Sequence, residues 1–342
     1  MTDQTPSGGH RPRLLVAMSA SPVRDSFFPR EVVARLEALG EVTWNDAEGP
    51  LPPSELAERL RGVEVCFTGW GAPCFDVDLL RHADRLGLVA HTGGSVASLV
   101  SAELFDRGIR VVSGNRVFAE SVAESVVGYA LLALRRLPYW AQEVQAGRWR
   151  TEEFVNEGLL DQSVGLVGFG AVARLLVPML RPFRCRVRAY DPHVTEAVLR
   201  AHGVEPCTLD ELLAGSRIIS LHVARTPATR HLLDARRLRL IQDGALLINT
   251  ARGAIVDETA LAAELATGRF LAVLDVFDTE PLPADSPLRG HDNAILVPHM
   301  AGPTIDRRRF AALAVVEDAG RFLAGAPLEH EIGRDYAMAM TR

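Results

Sequence analysis

Several features are scarce in this chain. Only four of 342 residues are cysteine: Cys66, Cys74, Cys185 and Cys207. None forms a C-x-x-C pair, and four thiols in this length exclude a disulfide scaffold. A reducing compartment is the expectation. No uninterrupted apolar stretch reaches the ~18 residues that span a bilayer. The longest candidate, residues 122–134, is broken by Glu124 and Gly128 and fits a buried helix. A basic tract is also missing. The net charge is −6 and the pI about 6.0, which argues against non-specific nucleic-acid binding. Arg236-Arg237 and Arg307-Arg308-Arg309 are short enough to be solvated helix faces. Residues 1–13 are polar, with Gly and Pro, and lack the apolar core of a signal peptide. They predict a disordered tail on a cytoplasmic protein, with no membrane or nucleic-acid partner.

What is present is an ordinary globular composition, 48% hydrophobic and 23% charged. At ~150 residues per domain the length suggests two domains. Short apolar runs at 14–18, 63–68, 86–91 and 109–113 alternate with helical patterns. One pattern runs from Pro29 to Gly40. Another is capped by Ser54 and ends at Gly62. Strand alternating with helix predicts parallel βαβ units. A long helical pattern follows over 119–147, with Pro138 expected to break it. The rhythm then restarts with strands at 164–167, 187–190, 218–223, 245–249, 272–276 and 295–297, a complete doubly wound set. A final helix is predicted over 304–325.

The strongest single motif is Gly168-Phe169-Gly170-Ala171-Val172-Ala173, which fits G-x-G-x-x-G/A after a strand and before a helix. Gly168 permits the tight turn, Gly170 lets a pyrophosphate approach the backbone, and Ala173 allows close helix–strand packing. The backbone of 168–172 would then present N–H groups to a dinucleotide at a helix N-terminus. Asp191 closes the next strand, 18 residues beyond Ala173. An acidic residue there accepts from the ribose hydroxyls and repels a 2′-phosphate, so NAD is favoured over NADP. Arg186 or Arg188 would weaken that preference if either reached the ribose.

Three later strands end in chemistry. Residues 245–249 lead to Thr250-Ala251-Arg252-Gly253, 272–276 contain Asp275 and lead to Glu280-Pro281, and 295–297 lead to Pro298-His299. Taken singly, these could be a turn arginine, a segment end, a helix cap and a core histidine. Ligands of open α/β sheets bind at the carboxyl ends of strands, and all four lie there. An arginine fork can bind a carboxylate and polarise the neighbouring carbonyl. A histidine can exchange a proton with that oxygen during hydride transfer, and a glutamate orients its ring and favours the imidazolium. Asp275 is a candidate to hold the nicotinamide carboxamide, and Thr250 a further cofactor contact.

From about Leu86 to Thr304 the chain resembles the NAD-dependent D-isomer-specific 2-hydroxyacid dehydrogenases. The resemblance is carried most specifically by Leu246-Leu247-Ile248-Asn249-Thr250-Ala251-Arg252-Gly253-Ala254-Ile255-Val256-Asp257-Glu258. Val122-Ala123-Glu124, Thr226-Pro227-Ala228-Thr229-Arg230, Asp275-Val276-Phe277 with Glu280-Pro281, and Pro298-His299-Met300-Ala301-Gly302 add to it. It implies Arg252 as the substrate-binding arginine, Glu280 as the partner of His299, and His299 as the acid/base. It also implies that Gly93 and Gly94 give backbone N–H groups to the substrate carboxylate. The implied architecture is two doubly wound parallel-sheet α/β domains. A Rossmann cofactor domain (118–299) is inserted in a flavodoxin-like catalytic domain (1–117 and 300–342), and homodimers form through the cofactor domain. The chain departs from the family where Val96 stands for an aspartate and Ala224 for a proline, which leaves the substrate open. A phosphite or phosphonate-type dehydrogenase on the same scaffold is the alternative, and a non-catalytic NAD-sensing scaffold a more distant one. No metal is expected. The aromatic loop Trp70-Gly71-Ala72-Pro73 has packing as its plain reading and pocket lining as its functional one.

Overall fold

The computed structural model describes residues 11–150 and 156–339. Most of the expected tail therefore lies outside the described residues. The chain divides into two compact units. One comprises residues up to Phe118 and those from Pro303 onward; the other is Ala119–Gly302.

The first unit has five strands: β1 (Arg13–Val16), β2 (Glu41–Trp44), β3 (Val65–Thr68), β4 (Leu88–His91) and β5 (Arg110–Ser113). All pair in parallel in the order β2-β1-β3-β4-β5, the flavodoxin-like arrangement. Both faces of the sheet are covered. Leu15, Cys66 and Val89 enter one core and Leu14, Val16, Val65 and Phe67 the other. That is why these strands read as continuous apolar runs rather than alternating ones.

The second unit has seven strands: β6 (Ser163–Val167), β7 (Arg186–Tyr190), β8 (Glu205–Pro206), β9 (Ile218–Leu221), β10 (Leu246–Asn249), β11 (Leu271–Leu274) and β12 (Ala294–Leu296). The order is β8-β7-β6-β9-β10-β11-β12, again all parallel. This is the Rossmann order with one strand added at the edge. The order reverses between β6 and β9, so the turn after β6 stands at the switch point where such sheets take ligands.

Two strands escape the sequence pattern, β2 and β8. Both are at a sheet edge, where one missing neighbour removes the need for a fully apolar run. Residues of β2 alternate between exposed and half-buried, and β8 is two residues long. The helix assigned a Ser54 cap instead starts at Pro53, after Pro52, and ends at Arg59. Proline suits the first helical position because its missing N–H has no intrahelical partner anyway. The long helical pattern is two helices, Asn115–Leu134 and Leu137–Gln145, parted at Arg136, which adopts φ 50°. Pro138 sits in the first turn of the second helix, where it is tolerated. A further helix, Arg334–Ala339, was not anticipated. Asn115–Leu134 is long and apolar enough to cross a membrane by composition alone. Its Ala123, Val126, Ala130 and Leu134 are buried in one cluster with Phe169 and Leu176, as in a core helix.

Two histidines at the carboxyl ends of β4 and β9, His91 and His222, have their charged forms disfavoured by burial. Burial lowers His91 and His222 to about 4. The unfolded chain, with ordinary histidines, takes up protons first as the pH falls. Stability is therefore full above ~6.5 and declines toward ~4, by up to about 3 kcal/mol per histidine. Urea midpoints measured between pH 7 and 4.5 should fall accordingly, and a flat profile would contradict the buried neutral state.

Candidate active site

The glycine turn after β6 is built as the motif requires. Gly168 adopts φ +95°, and a Cβ there would lie 2.8 Å from the His222 carbonyl carbon, so only glycine fits. Above Gly170 a Cβ would meet nothing within 4 Å, which leaves open space over the turn. Gly170 is the N-cap of the helix Ala171–Leu180. The N–H groups of Gly170, Ala171 and Val172 have no acceptor among the described residues, as expected of a helix start that can take an anion. The Phe169 side chain is fully buried, so only its backbone lines the turn. Asp191 accepts from Phe169 N (2.7 Å) and His193 N (2.8 Å). It fixes the turn from below and presents its carboxylate at the end of β7. Beside it lies a cleft lined by Tyr190, Asp191, Val194, Pro206, Cys207 and Thr208. Arg188 pairs with Glu205 at 3.7 Å instead of turning to Asp191. Replacing Asp191 with Ala should raise the NADH KM by about tenfold and narrow the preference over NADPH. Initial rates with both cofactors check this; an unchanged ratio would remove Asp191 from the ribose site.

Two buried polar atoms near this edge, Thr250 Oγ1 and His222 Nε2, lack partners among the described residues. Buried polar atoms are rarely left unsatisfied in a folded chain. Thr250 follows β10 directly, so its free hydroxyl fits a dinucleotide passing over the strand end.

The Arg252 loop is tied to its strand. Asn249 Nδ2 donates to Arg252 O (2.9 Å), and Ala251 N donates to Asn249 Oδ1 (3.0 Å). The guanidinium is half-buried and donates to Ala251 O at 2.7 Å. Burial holds it below the usual arginine range, Glu280 opposes that shift, and nearby Arg225 adds to it. Gly253 explains how this loop meets the next one. A Cβ there would sit 1.9 Å from the Phe277 carbonyl carbon, so the two backbones touch where a side chain would stand. Gly253→Ala should therefore displace the loops. The expected result is a thermal midpoint lower by several degrees and no turnover, with the three polar side chains intact. Parent-like melting and rate would show that the contact does not matter.

From that contact the chain of bonds runs outward. Phe277 N donates to Glu280 Oε1 (2.9 Å), and Glu280 Oε2 meets His299 Nδ1 at 2.7 Å. The Glu280-Pro281 peptide is cis. His299 itself has φ 47°, a conformation that costs energy in a non-glycine residue and clusters at functional sites. Asp275 holds it there. His299 N donates to Asp275 O (2.9 Å), Met300 N to Oδ1 (2.8 Å) and Ala301 N to Oδ2 (3.1 Å). Tyr129 donates its hydroxyl to Oδ1 (3.1 Å), and burial together with the Asp275 charge raises the Tyr129 phenol. The sequence pointed Asp275 at the nicotinamide. Its carboxylate carries three protein hydrogen bonds and anchors the His299 turn, which leaves one of its acceptor positions for a further donor. Tyr129 was missed, because a tyrosine within a helical pattern carries no signal of a distant carboxylate.

In the first unit, Gly93 and Gly94 are buried, and their N–H groups have no acceptor among the described residues. The turn rests on two rings. A Cβ on Gly93 would lie 2.3 Å from His91 Nε2, and one on Gly94 3.2 Å from Phe118 Cγ. His91 is fixed in turn by Thr68 Oγ1 at 3.0 Å.

Residues 127–301 match the family model for the D-isomer specific 2-hydroxyacid dehydrogenase, NAD binding domain. This chain belongs to that family. Its second unit is the family's NAD-binding domain, and the open glycine turn, the free helix N–H groups and the unpartnered Thr250 hydroxyl fit the cofactor. The D-3-phosphoglycerate dehydrogenase of Methanocaldococcus jannaschii is 30% identical over 88% of this chain and 57% of its own length. The chain thus spans little more than half of such relatives. The hydroxypyruvate reductase of Thermotoga maritima is 32% identical over 78% of this chain and 87% of its own. Among solved structures, a phosphoglycerate oxidoreductase from Rhizobium etli is similar, with a TM-score of 0.79 and 29% identity over 95% of this chain and 99% of that one.

Proposed function

We propose that this chain is an NAD-dependent oxidoreductase acting at C2 of a 2-oxo or 2-hydroxy acid. The observation that carries the reading is the Gly253–Phe277 backbone contact, which joins Arg252 to the bonded Glu280–His299 pair. Bound NAD(H) supplies or accepts the hydride. Arg252 binds the substrate carboxylate and draws electron density from the C2 carbonyl; its partial burial strengthens that pull. In the first unit, Gly93 and Gly94 offer N–H groups suited to a carboxylate. With Nδ1 committed to Glu280, the Nε2 nitrogen of His299 exchanges the proton with the substrate oxygen. Gly168, Gly170, Ala171, Val172, Asp191 and Thr250 hold the dinucleotide.

A cytoplasmic homodimer completes the reading. Leu137, Tyr139, Val144 and Trp149 are exposed on and just after one helix of the cofactor unit, an apolar surface suited to self-association. Sedimentation at micromolar concentration should give twice the chain mass. The activity is tested by following NADH absorbance with a panel of 2-oxo acids, and NAD reduction with phosphite and phosphonates. Turnover of oxo acids supports the reading. Turnover of phosphite alone replaces it, and turnover of nothing refutes it.

A further inference from the structure

Trp70 is the feature of the first unit that the reading so far leaves unused. Its ring is 54% exposed, yet it is fixed on several sides. Phe27 meets it edge-on at 5.4 Å and Phe118 at 6.0 Å between centroids, both favourable arrangements. The Arg308 guanidinium lies 5.4 Å from its centroid. A large aromatic ring that is both exposed and immobilised is a prepared surface. Its ordering cost has already been met.

Its position relative to the Gly93–Gly94 turn is set by the sheet. Thr68 of β3 pairs with His91 of β4, so Trp70 and Gly93 each stand two residues past paired strand ends. Phe118 joins the two, touching Gly94 on one side and Trp70 on the other. Beyond Trp70 opens a cleft, lined also by Met18, Leu51 and Pro73. The surface next to the Gly93–Gly94 amides is therefore formed by Phe118, with Trp70 one ring further on.

We propose that Trp70 is a specificity-determining residue whose ring receives an uncharged aryl group on C3 of the 2-oxo acid. The inference rests on the substrate class proposed above. Arg308 does not make this an anion site. Its guanidinium is taken up by the Phe27 and Trp70 rings, Nη1 donates to Ser26 at 3.3 Å, and Nε is sealed from solvent.

The full chain is assayed with NADH and pyruvate, phenylpyruvate and phosphohydroxypyruvate. Phenylpyruvate should have the highest kcat/KM. Trp70→Ala should lose about tenfold more on phenylpyruvate than on pyruvate, in KM more than kcat, and Trp70→Phe should restore most of the difference. Equal losses on both acids, or a preference for the phosphorylated acid, overturns the proposal. Binding gives an independent readout. Phenylpyruvate should quench tryptophan fluorescence in the parent and not in Trp70→Phe. Quenching at Trp70 without turnover of any oxo acid would sink the dehydrogenase reading and leave the aryl shelf standing. Turnover without any dependence on Trp70 would do the reverse.

Discussion

Arg252→Ala is expected to lose about a thousandfold in kcat/KM for 2-oxo acids, ~4 kcal/mol of transition-state stabilisation, while NADH binds nearly as it does to the parent. The size of the effect follows from the environment. The guanidinium is half-buried, and burial holds it below the usual arginine range. A charge kept there is poorly solvated and interacts strongly with an incoming carboxylate. Lysine should not rescue, because a point ammonium cannot make the two-pronged contact. Steady-state rates and fluorescence titration of NADH separate the outcomes. A collapse in NADH affinity with normal oxo-acid KM would assign the arginine to the cofactor instead.

His299→Gln should lower kcat for oxo-acid reduction by about a thousandfold, within the range typical of a lost general acid, with little change in KM. Glu280→Gln should cost less, about a hundredfold. Its amide oxygen can still accept from Phe277 N, as Glu280 Oε1 does at 2.9 Å. What it loses is the carboxylate at 2.7 Å from His299 Nδ1. The double variant should be scarcely slower than His299→Gln alone, since the glutamate acts through the histidine. Additive losses would mean that Glu280 has a separate role. Single-turnover rates at saturating NADH provide the measurement.

Legibility tracked burial. The strands with two neighbours, such as β3, β4, β9 and β10, are buried along their whole length, and each reads as an apolar run. The edge strands β2 and β8 do not, because half their surface faces water. The dinucleotide turn was legible because its constraints are local. A positive φ at Gly168, where a Cβ would also meet the His222 backbone, demands a glycine at a fixed offset from a strand. The Asp275 network was not legible. Its partners Tyr129, Met300 and Ala301 come from both ends of the second unit's sequence, and pattern reasoning has no access to pairs so far apart.

The two-neighbour strands and the helices between them, the dinucleotide turn and the residue types of the candidate site were determined by the sequence alone, since each depends on spacing within a few residues. Which side chains are free to act was decided only by the tertiary structure. Packing bonded the Asp275 carboxylate to the His299 turn, left the Thr250 hydroxyl unpaired among the described residues, and pressed Gly253 against Phe277 so that Arg252 and the Glu280–His299 pair belong to one assembly. The physical reason is that hydrogen-bond satisfaction and close backbone contact are properties of neighbours in space.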